Sequence, residues 1–141
     1  MLIELLAATL MVLLTVLIHG TGIYALGSVF ERGYAEHQAS RRHPLAPRSL
    51  GFSLMLVLGL FVLHGAEIWT YAAFFQAVGA LPDLRESVYY STMSYSTLGY
   101  GDEAIDPDWK LVAAIEGVNG IILLGWSTAF VVMSMTRLAR R

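Results

Sequence analysis

The chain has 141 residues, of which 56% are hydrophobic and 14% are charged, and it contains no cysteine. A soluble domain usually has about a quarter of its residues charged, so this composition argues against one, and the missing cysteines exclude disulfides and thiolate metal sites. The formal net charge of −2 gives no reason to expect a nucleic-acid partner. It also conceals a separation of basic and acidic residues into different segments.

Three apolar runs dominate the sequence. They cover residues 2–26, 50–78 and 111–135, and each exceeds the roughly 20 residues that cross a bilayer core of about 30 Å. The first run lacks the basic start and the small-residue cleavage site of a signal peptide, so we expect it to be retained. The sequence therefore predicts an integral membrane protein with three transmembrane helices.

The charged residues indicate how these spans are oriented. Arginines concentrate in residues 28–49 and in the tail, whereas residues 79–110 are acidic. Cytoplasmic loops collect Arg and Lys, so we expect the N-terminus outside and the C-terminus in the cytoplasm, in a membrane of the prokaryotic inner or plasma type. The internal arginines could contact anionic lipid head groups, although the orientation rule alone also accounts for them. They are Arg41, Arg42, Arg137, Arg140 and Arg141.

The basic connection between the first two spans, residues 29–48, leaves two structures open. Val29, Phe30 and Tyr34 recur at helical spacing among charged residues, which suits a short interfacial helix on the inner membrane surface. A solvated loop fits the same residues equally well.

A short helix is predicted between the second and third spans. Pro82 and Asp83 supply a turn residue and an N-cap, and Glu86 lies in the first turn, as at the start of a helix. The helix, residues 84–95, is too short to cross the membrane and must re-enter it, which requires that protein buries it. Its C-terminus would carry partial negative charge to the middle of the membrane and favour a cation there.

The residues that follow this helix are Thr97, Leu98, Gly99, Tyr100 and Gly101, with Asp102 next. Successive rings of backbone carbonyls can replace the hydration shell of a potassium ion, and Thr-Val-Gly-Tyr-Gly is the known sequence that forms them. Glycines at the third and fifth positions allow the positive φ that such a backbone needs.

Residues 82–102 resemble the pore segment of tetrameric potassium channels. The resemblance covers residues 49–136 as a pore domain, and Trp109 has the spacing from Asp102 that a Trp has in the simple bacterial channel. It implies an all-α membrane protein with a homotetrameric pore. The segments would be an additional N-terminal span 1–28, the linker 29–48, an outer helix 49–78, a pore helix 84–95, a filter 96–102, an inner helix 110–136 and a basic tail 137–141.

The resemblance also implies roles for individual residues. Thr97, Leu98, Gly99, Tyr100 and Gly101 would coordinate potassium. Asp102 would tie the outer filter to the pore helix, and Tyr89 and Tyr90 occupy the positions of an aromatic pair that braces the filter. Met93 replaces a carboxylate found behind the filter of one bacterial channel, and Leu98 replaces the usual Val or Ile.

The inner helix would contain the gate. Gly120 and Gly125 are candidate hinges, and Ile122, Gly125 and Ala129 would line the cavity, with Met133 at the inner gate. The alternative is that the glycines only allow close helix packing.

Ionisable residues also lie within the predicted spans. His64 and Glu67 are one helical turn apart, which suits a hydrogen-bonded pair and a possible proton sensor; the alternative is a structural polar contact with the first span or the pore helix. Glu116 should bond to the hydroxyl-rich pore helix. His19 is expected to lie far from the pair.

These features predict a potassium-selective channel subunit that is not an enzyme and needs no cofactor besides the permeant ion. One alternative is a weakly selective monovalent cation channel. A remote one is an intramembrane metal-binding protein that uses His19, His64 and Glu67, for which a distant His19 makes a poor ligand set. The first span lacks the Arg and Lys of a voltage sensor.

Overall fold

The computed structural model describes residues 1–39, 47–99 and 103–139, and all of its regular structure is helical. The all-α fold predicted from the sequence is therefore confirmed for these residues. Three of the helices are long and apolar enough to cross a membrane. The helices are α1 (Leu2–Ala39), α2 (Pro47–Ala77), α3 (Leu84–Tyr95) and α4 (Lys110–Ala139), and a 3-10 turn (Pro107–Trp109) precedes α4.

Local sequence explains where these helices begin. Asp83 is the N-cap of α3, and its carboxylate accepts a hydrogen bond of 2.9 Å from the backbone N–H of Glu86. Asp106 plays the same part for the 3-10 turn by accepting from the N–H of Asp108. Pro47 occupies the first position of α2, where the missing N–H costs no hydrogen bond. The predicted boundary near residue 28 is crossed by α1, which runs without a break to Ala39.

The first helix packs along the rest of the molecule through one narrow face. Ala8, Met11, Thr15 and His19 recur at intervals of three or four residues, and all four are buried, as expected for one face of a helix. This face lies against α2 and α4. The remaining surface of α1 is rich in exposed leucines, which suits contact with lipid. The first span is thus an integral part of the helix bundle.

The short helix α3 is held between α2 and α4. Tyr90 is buried and meets Phe75 of α2 edge-to-face, with ring centroids 5.9 Å apart. On the other side, the hydroxyl of Ser94 donates a hydrogen bond of 2.7 Å to the carbonyl of Ala113 in α4.

Glycine permits the closest approach between α3 and α4. A β-carbon at Gly120 would lie 2.2 Å from the carbonyl oxygen of Tyr95, and one at Gly117 would lie 3.1 Å from that of Ser94. Gly120 therefore lets the last turn of α3 rest directly on α4, which is the close packing that was the alternative to a hinge. By contrast, a β-carbon at Gly125 would meet no atom within 4 Å.

Candidate functional site

The loop that leaves α3 has an unusual backbone. Thr97 and Gly99 have positive φ angles of 60° and 71°, and a β-branched residue such as threonine rarely adopts this conformation. Two hydrogen bonds hold the loop to the helix end, from the N–H of Thr97 to the carbonyl of Ser94 and from the N–H of Leu98 to that of Met93. The chain thus enters the predicted filter with left-handed residues on either side of Leu98.

The described part of the predicted filter is open on the single chain. Thr97, Leu98 and Gly99 are exposed, and Leu98 retains 71% of its surface. With α3 and α4, this loop borders a cavity of about 330 Å³. Tyr100, Gly101 and Asp102 lie outside the described residues, so their predicted roles stay predictions.

The supporting residues of the predicted filter differ in their burial. Tyr90 is buried, whereas Tyr89 keeps 47% of its surface exposed. Met93 is half-buried, and its backbone carbonyl accepts from both Leu98 and Gly99. Met93 therefore supports the start of the loop through its main chain, which its side-chain type does not reveal.

The inner helix presents an uncovered face. Ile122, Ala129 and Met133, the predicted cavity residues, are all exposed on the single chain, and so is Gly125. This face of α4 is apolar and uncovered on the single chain.

Behind the loop, five polar side chains from all four helices form what we call the buried cluster: His19, His64, Glu67, Tyr95 and Ser127. Nδ1 of His19 lies 2.8 Å from Oε1 of Glu67, and Nδ1 of His64 lies 3.2 Å from Oε2. The hydroxyl of Tyr95 donates to Oε2 of Glu67 and lies 2.8 Å from Nδ1 of His64. Glu67 and His19 have no exposed surface. The predicted His64–Glu67 contact is present, and the expectation that His19 is distant is wrong.

Ser127 of α4 closes the buried cluster on its other side. Its hydroxyl oxygen lies 2.9 Å from Nε2 of His64 and 3.4 Å from Nε2 of His19. The ring of Trp126 packs on that of His19, with centroids 5.2 Å apart. The helices α1, α2, α3 and α4 thus meet at one carboxylate and two imidazoles.

A second polar contact joins α1 to the bundle nearer its N-terminus. The amide of Asn119 in α4 donates a hydrogen bond of 2.8 Å to the hydroxyl of Thr15 and a longer one of 3.4 Å to that of Tyr71 in α2. Asn119 and Thr15 are buried. Because a buried amide must find partners, this contact fixes how α1 is rotated about its own axis.

Glu116 of α4 bonds to the pore helix, as predicted. Its Oε1 is hydrogen-bonded to the hydroxyl of Ser91, which also lies 3.0 Å from the carbonyl of Ile68, while Oε2 is buried without a partner. A serine has one hydroxyl proton and cannot donate to both oxygens. Both contacts of Ser91 can form when Glu116 is a neutral acid that donates from Oε1 to Ser91, which also leaves the unpartnered Oε2 uncharged, the form that a membrane interior favours.

The metal-binding alternative can be tested on the same geometry. His19, His64 and Glu67 do come together, with one ligand atom from each within 4.8 Å of the others. However, Nδ1 of His19 and Oε1 of Glu67 are 2.8 Å apart, which is a hydrogen-bond distance, whereas two ligands of a tetrahedral zinc are about 3.3 Å apart. The remaining ring nitrogens face Ser127. The donor set is arranged as a hydrogen-bonded cluster.

Sequence reasoning missed three members of this cluster. His19 was excluded by an assumption about distance, and the hydroxyls of Tyr95 and Ser127 resemble any other hydroxyl in a helix. One signal was available: His19, His64 and Glu67 all lie near the middle of their candidate spans. Ionisable residues at one depth of a membrane tend to pair.

Together, these features define a class of protein: an all-helical membrane protein in which a short helix and a glycine-containing loop lie between two spans. The sequence model of an ion channel family matches residues 52–137, which include α3, the loop and most of α2 and α4. The match covers more than half of the chain, and the protein belongs to this ion channel family. No curated protein and no solved structure matches the chain.

Proposed function

We propose that this channel is potassium-selective and conducts the dehydrated ion through carbonyl rings formed by Thr97, Leu98, Gly99, Tyr100 and Gly101. The observation that carries the proposal is the loop backbone: positive φ at Thr97 and Gly99, in a segment whose sequence is that of a potassium filter with Leu in place of Val. Leu98 lies between two residues of positive φ, and a backbone whose φ alternates in sign can turn successive carbonyls towards one side. A ring of four such loops would then offer oxygens in layers.

A homotetramer follows from the same proposal. One loop supplies a quarter of each carbonyl ring, and a single chain leaves the loop and the apolar face of α4 uncovered. Fourfold assembly would bring the four faces around one axis, with Ile122, Ala129 and Met133 lining the inner path. The C-terminal end of α3 points its partial negative charge at the cation that waits below the filter.

Potassium selectivity can be measured directly on the purified protein in liposomes. We expect uptake of potassium and rubidium, exclusion of sodium, and block by barium, which has the size of potassium and twice its charge. Comparable sodium and potassium fluxes would instead support the weakly selective cation channel. Protein-free liposomes give the leak that must be subtracted.

The orientation inferred from the charges is part of the proposal. Single cysteines at Met1, Ser40 and Arg141 can be tested with an impermeant thiol reagent, since the native chain has no cysteine. In intact cells we expect labelling at Met1 only. Labelling in lysed cells is the control, since there the cysteines at Ser40 and Arg141 should also react. Labelling at Ser40 in intact cells would invert the topology and place the acidic segment 103–108 inside.

A further inference from the structure

The buried cluster has more contacts than protons to fill them. Its six contacts are His19 to Glu67, Tyr95 to Glu67, His64 to both Glu67 and Tyr95, and Ser127 to each imidazole. A hydrogen bond needs one proton between its two atoms. With Glu67 ionised and both imidazoles neutral, the two imidazoles, Tyr95 and Ser127 supply one proton each. The Nδ1 proton of His64 can be shared between Glu67 and Tyr95, so one contact is left without a proton. With both imidazole protons on Nδ1, it is the 3.4 Å contact between Ser127 and His19.

Moving the protons does not remove the deficit. If both imidazoles carry their proton on Nδ1, two bare Nε2 atoms face the single hydroxyl proton of Ser127. If His19 carries it on Nε2 instead, its bare Nδ1 faces the carboxylate of Glu67 at 2.8 Å. If His64 does so, its bare Nδ1 and Oε2 of Glu67 compete for the single hydroxyl proton of Tyr95. Two lone pairs then oppose each other, which is unfavourable in a low-dielectric interior.

Charge leads to the same conclusion as the hydrogen-bond count. Glu67 has no exposed surface, and its ion pairs among the described side chains are with His19 and His64 alone. The other titratable groups that act on the cluster are Tyr71 of α2 and Glu116 of α4, and neither can carry a positive charge. An ionised Glu67 between neutral imidazoles would be an uncompensated charge in the membrane, which is costly.

We propose that the buried cluster is a proton-binding site, which holds one proton more than two neutral imidazoles and a carboxylate account for. That proton fills the last contact and makes the cluster electrically neutral. The site rests on Glu67 and on both histidines, so it requires α1 as well as the pore domain.

The position of Tyr95 allows the protonation of the buried cluster to affect the predicted filter. Tyr95 is the last residue of α3, two residues before Thr97, and its side chain is bonded to Glu67 while its carbonyl rests on Gly120. When the proton leaves, Glu67 keeps an uncompensated charge and one contact of the cluster is unfilled, which favours a rearrangement of the cluster and of Tyr95 at the end of α3. As regulation of the proposed channel, conduction should therefore fall as the cluster deprotonates with rising pH. This part rests on the proposed function.

Nitrogen NMR of labelled histidine tests the proton itself without any flux measurement. The chain has four histidines, and a His37→Gln/His43→Gln background leaves only the signals of His19 and His64. In liposomes we expect the two rings and Glu67 together to bind one proton more than two neutral imidazoles and a carboxylate carry, and to lose it as the pH rises. Two rings that stay neutral without a titration between about pH 5 and 9 would overturn the proposal.

Glu67→Gln in the same background is the decisive variant. Its amide supplies the missing proton to His19, so that every contact is filled with both imidazoles neutral and with no net charge. We expect this variant to keep its fold, to show no histidine titration over that range, and to conduct at a level that no longer depends on pH, whereas the background protein loses flux several-fold as its proton leaves. A variant that titrates like its background would refute the site. If neither protein passes potassium, the NMR result still decides the proton site, and only the proposed function fails.

Discussion

Replacing Gly99 with alanine is expected to abolish potassium flux without unfolding the helices. Gly99 has a φ of +71°, and a β-carbon built there meets no atom within 4 Å, so the cost is conformational and not a collision within the chain. An L-residue in this region loses roughly 1–2 kcal/mol, and four copies of the loop would each carry that cost. The loop can escape it by turning its carbonyls away from the axis, which removes ion-binding oxygens.

Gly79 provides a matched control for this substitution. Its φ is +70° and it too has open space around its β-position, but it lies in the turn after α2. Gly79→Ala should therefore carry a similar conformational cost and keep selective flux. The measurement is potassium uptake in liposomes together with helical content by circular dichroism. Normal flux in Gly99→Ala, or equal loss in both variants, would contradict the assignment of Gly99 to the ion path.

Replacing Gly120 with alanine should destabilise the protein by displacing the end of the pore helix. The new β-carbon would lie 2.2 Å from the carbonyl oxygen of Tyr95, 3.0 Å from its carbonyl carbon and 3.1 Å from its ring. Two of these atoms belong to the backbone and cannot move aside by a change of rotamer. Overpacking of this kind costs about 1–3 kcal/mol, and the shift of α3 would be passed to Thr97. We expect a lower melting temperature and loss of flux.

Gly125→Ala separates packing from hinge motion on the same helix. Its β-carbon would meet nothing within 4 Å, and alanine favours a helix over glycine by about 1 kcal/mol, so stability should be kept or raised. If Gly125 is the hinge, this variant changes the flux while its melting temperature does not fall. A Gly120→Ala protein that melts like the unmodified one would contradict the close approach of α4 to Tyr95.

The helices of this protein are largely determined by local sequence, which explains why they could be predicted. Long apolar runs predict transmembrane helices, because a helix satisfies its own backbone groups in lipid. The Asp83–Glu86 cap specifies where α3 begins. The length of α1 was harder to predict, because residues 29–39 mix apolar and charged side chains and no proline or cap interrupts them. Their helical state follows from continuation of a helix that is already formed, for which propagation is easier than nucleation.

The site was predicted only where its chemistry lies along one segment. The filter hypothesis rests on the order of residues 97–101, and the His64–Glu67 contact follows from helical spacing. The partnership of His19 with Glu67 joins residues 48 positions apart, and it depends on the depth and rotation of two helices. The role of Gly120 likewise depends on which face of α4 meets Tyr95. Neither has a signature in the neighbouring sequence.

The polar contacts of α1 also bear on how the chain assembles in the membrane. Glu67 and Asn119 are costly to place in lipid, and one hydrogen-bond partner of each, His19 and Thr15 respectively, belongs to α1, which is synthesised before α2 and α4. By the time α2 and α4 enter the bilayer, the His19 and Thr15 side chains that bond to Glu67 and Asn119 are already there. Truncation of α1 would leave Glu67 and Asn119 each without one hydrogen-bond partner on the face that α1 covers. Within the membrane, α1 thus supplies hydrogen-bond partners that water would supply to these side chains in solution.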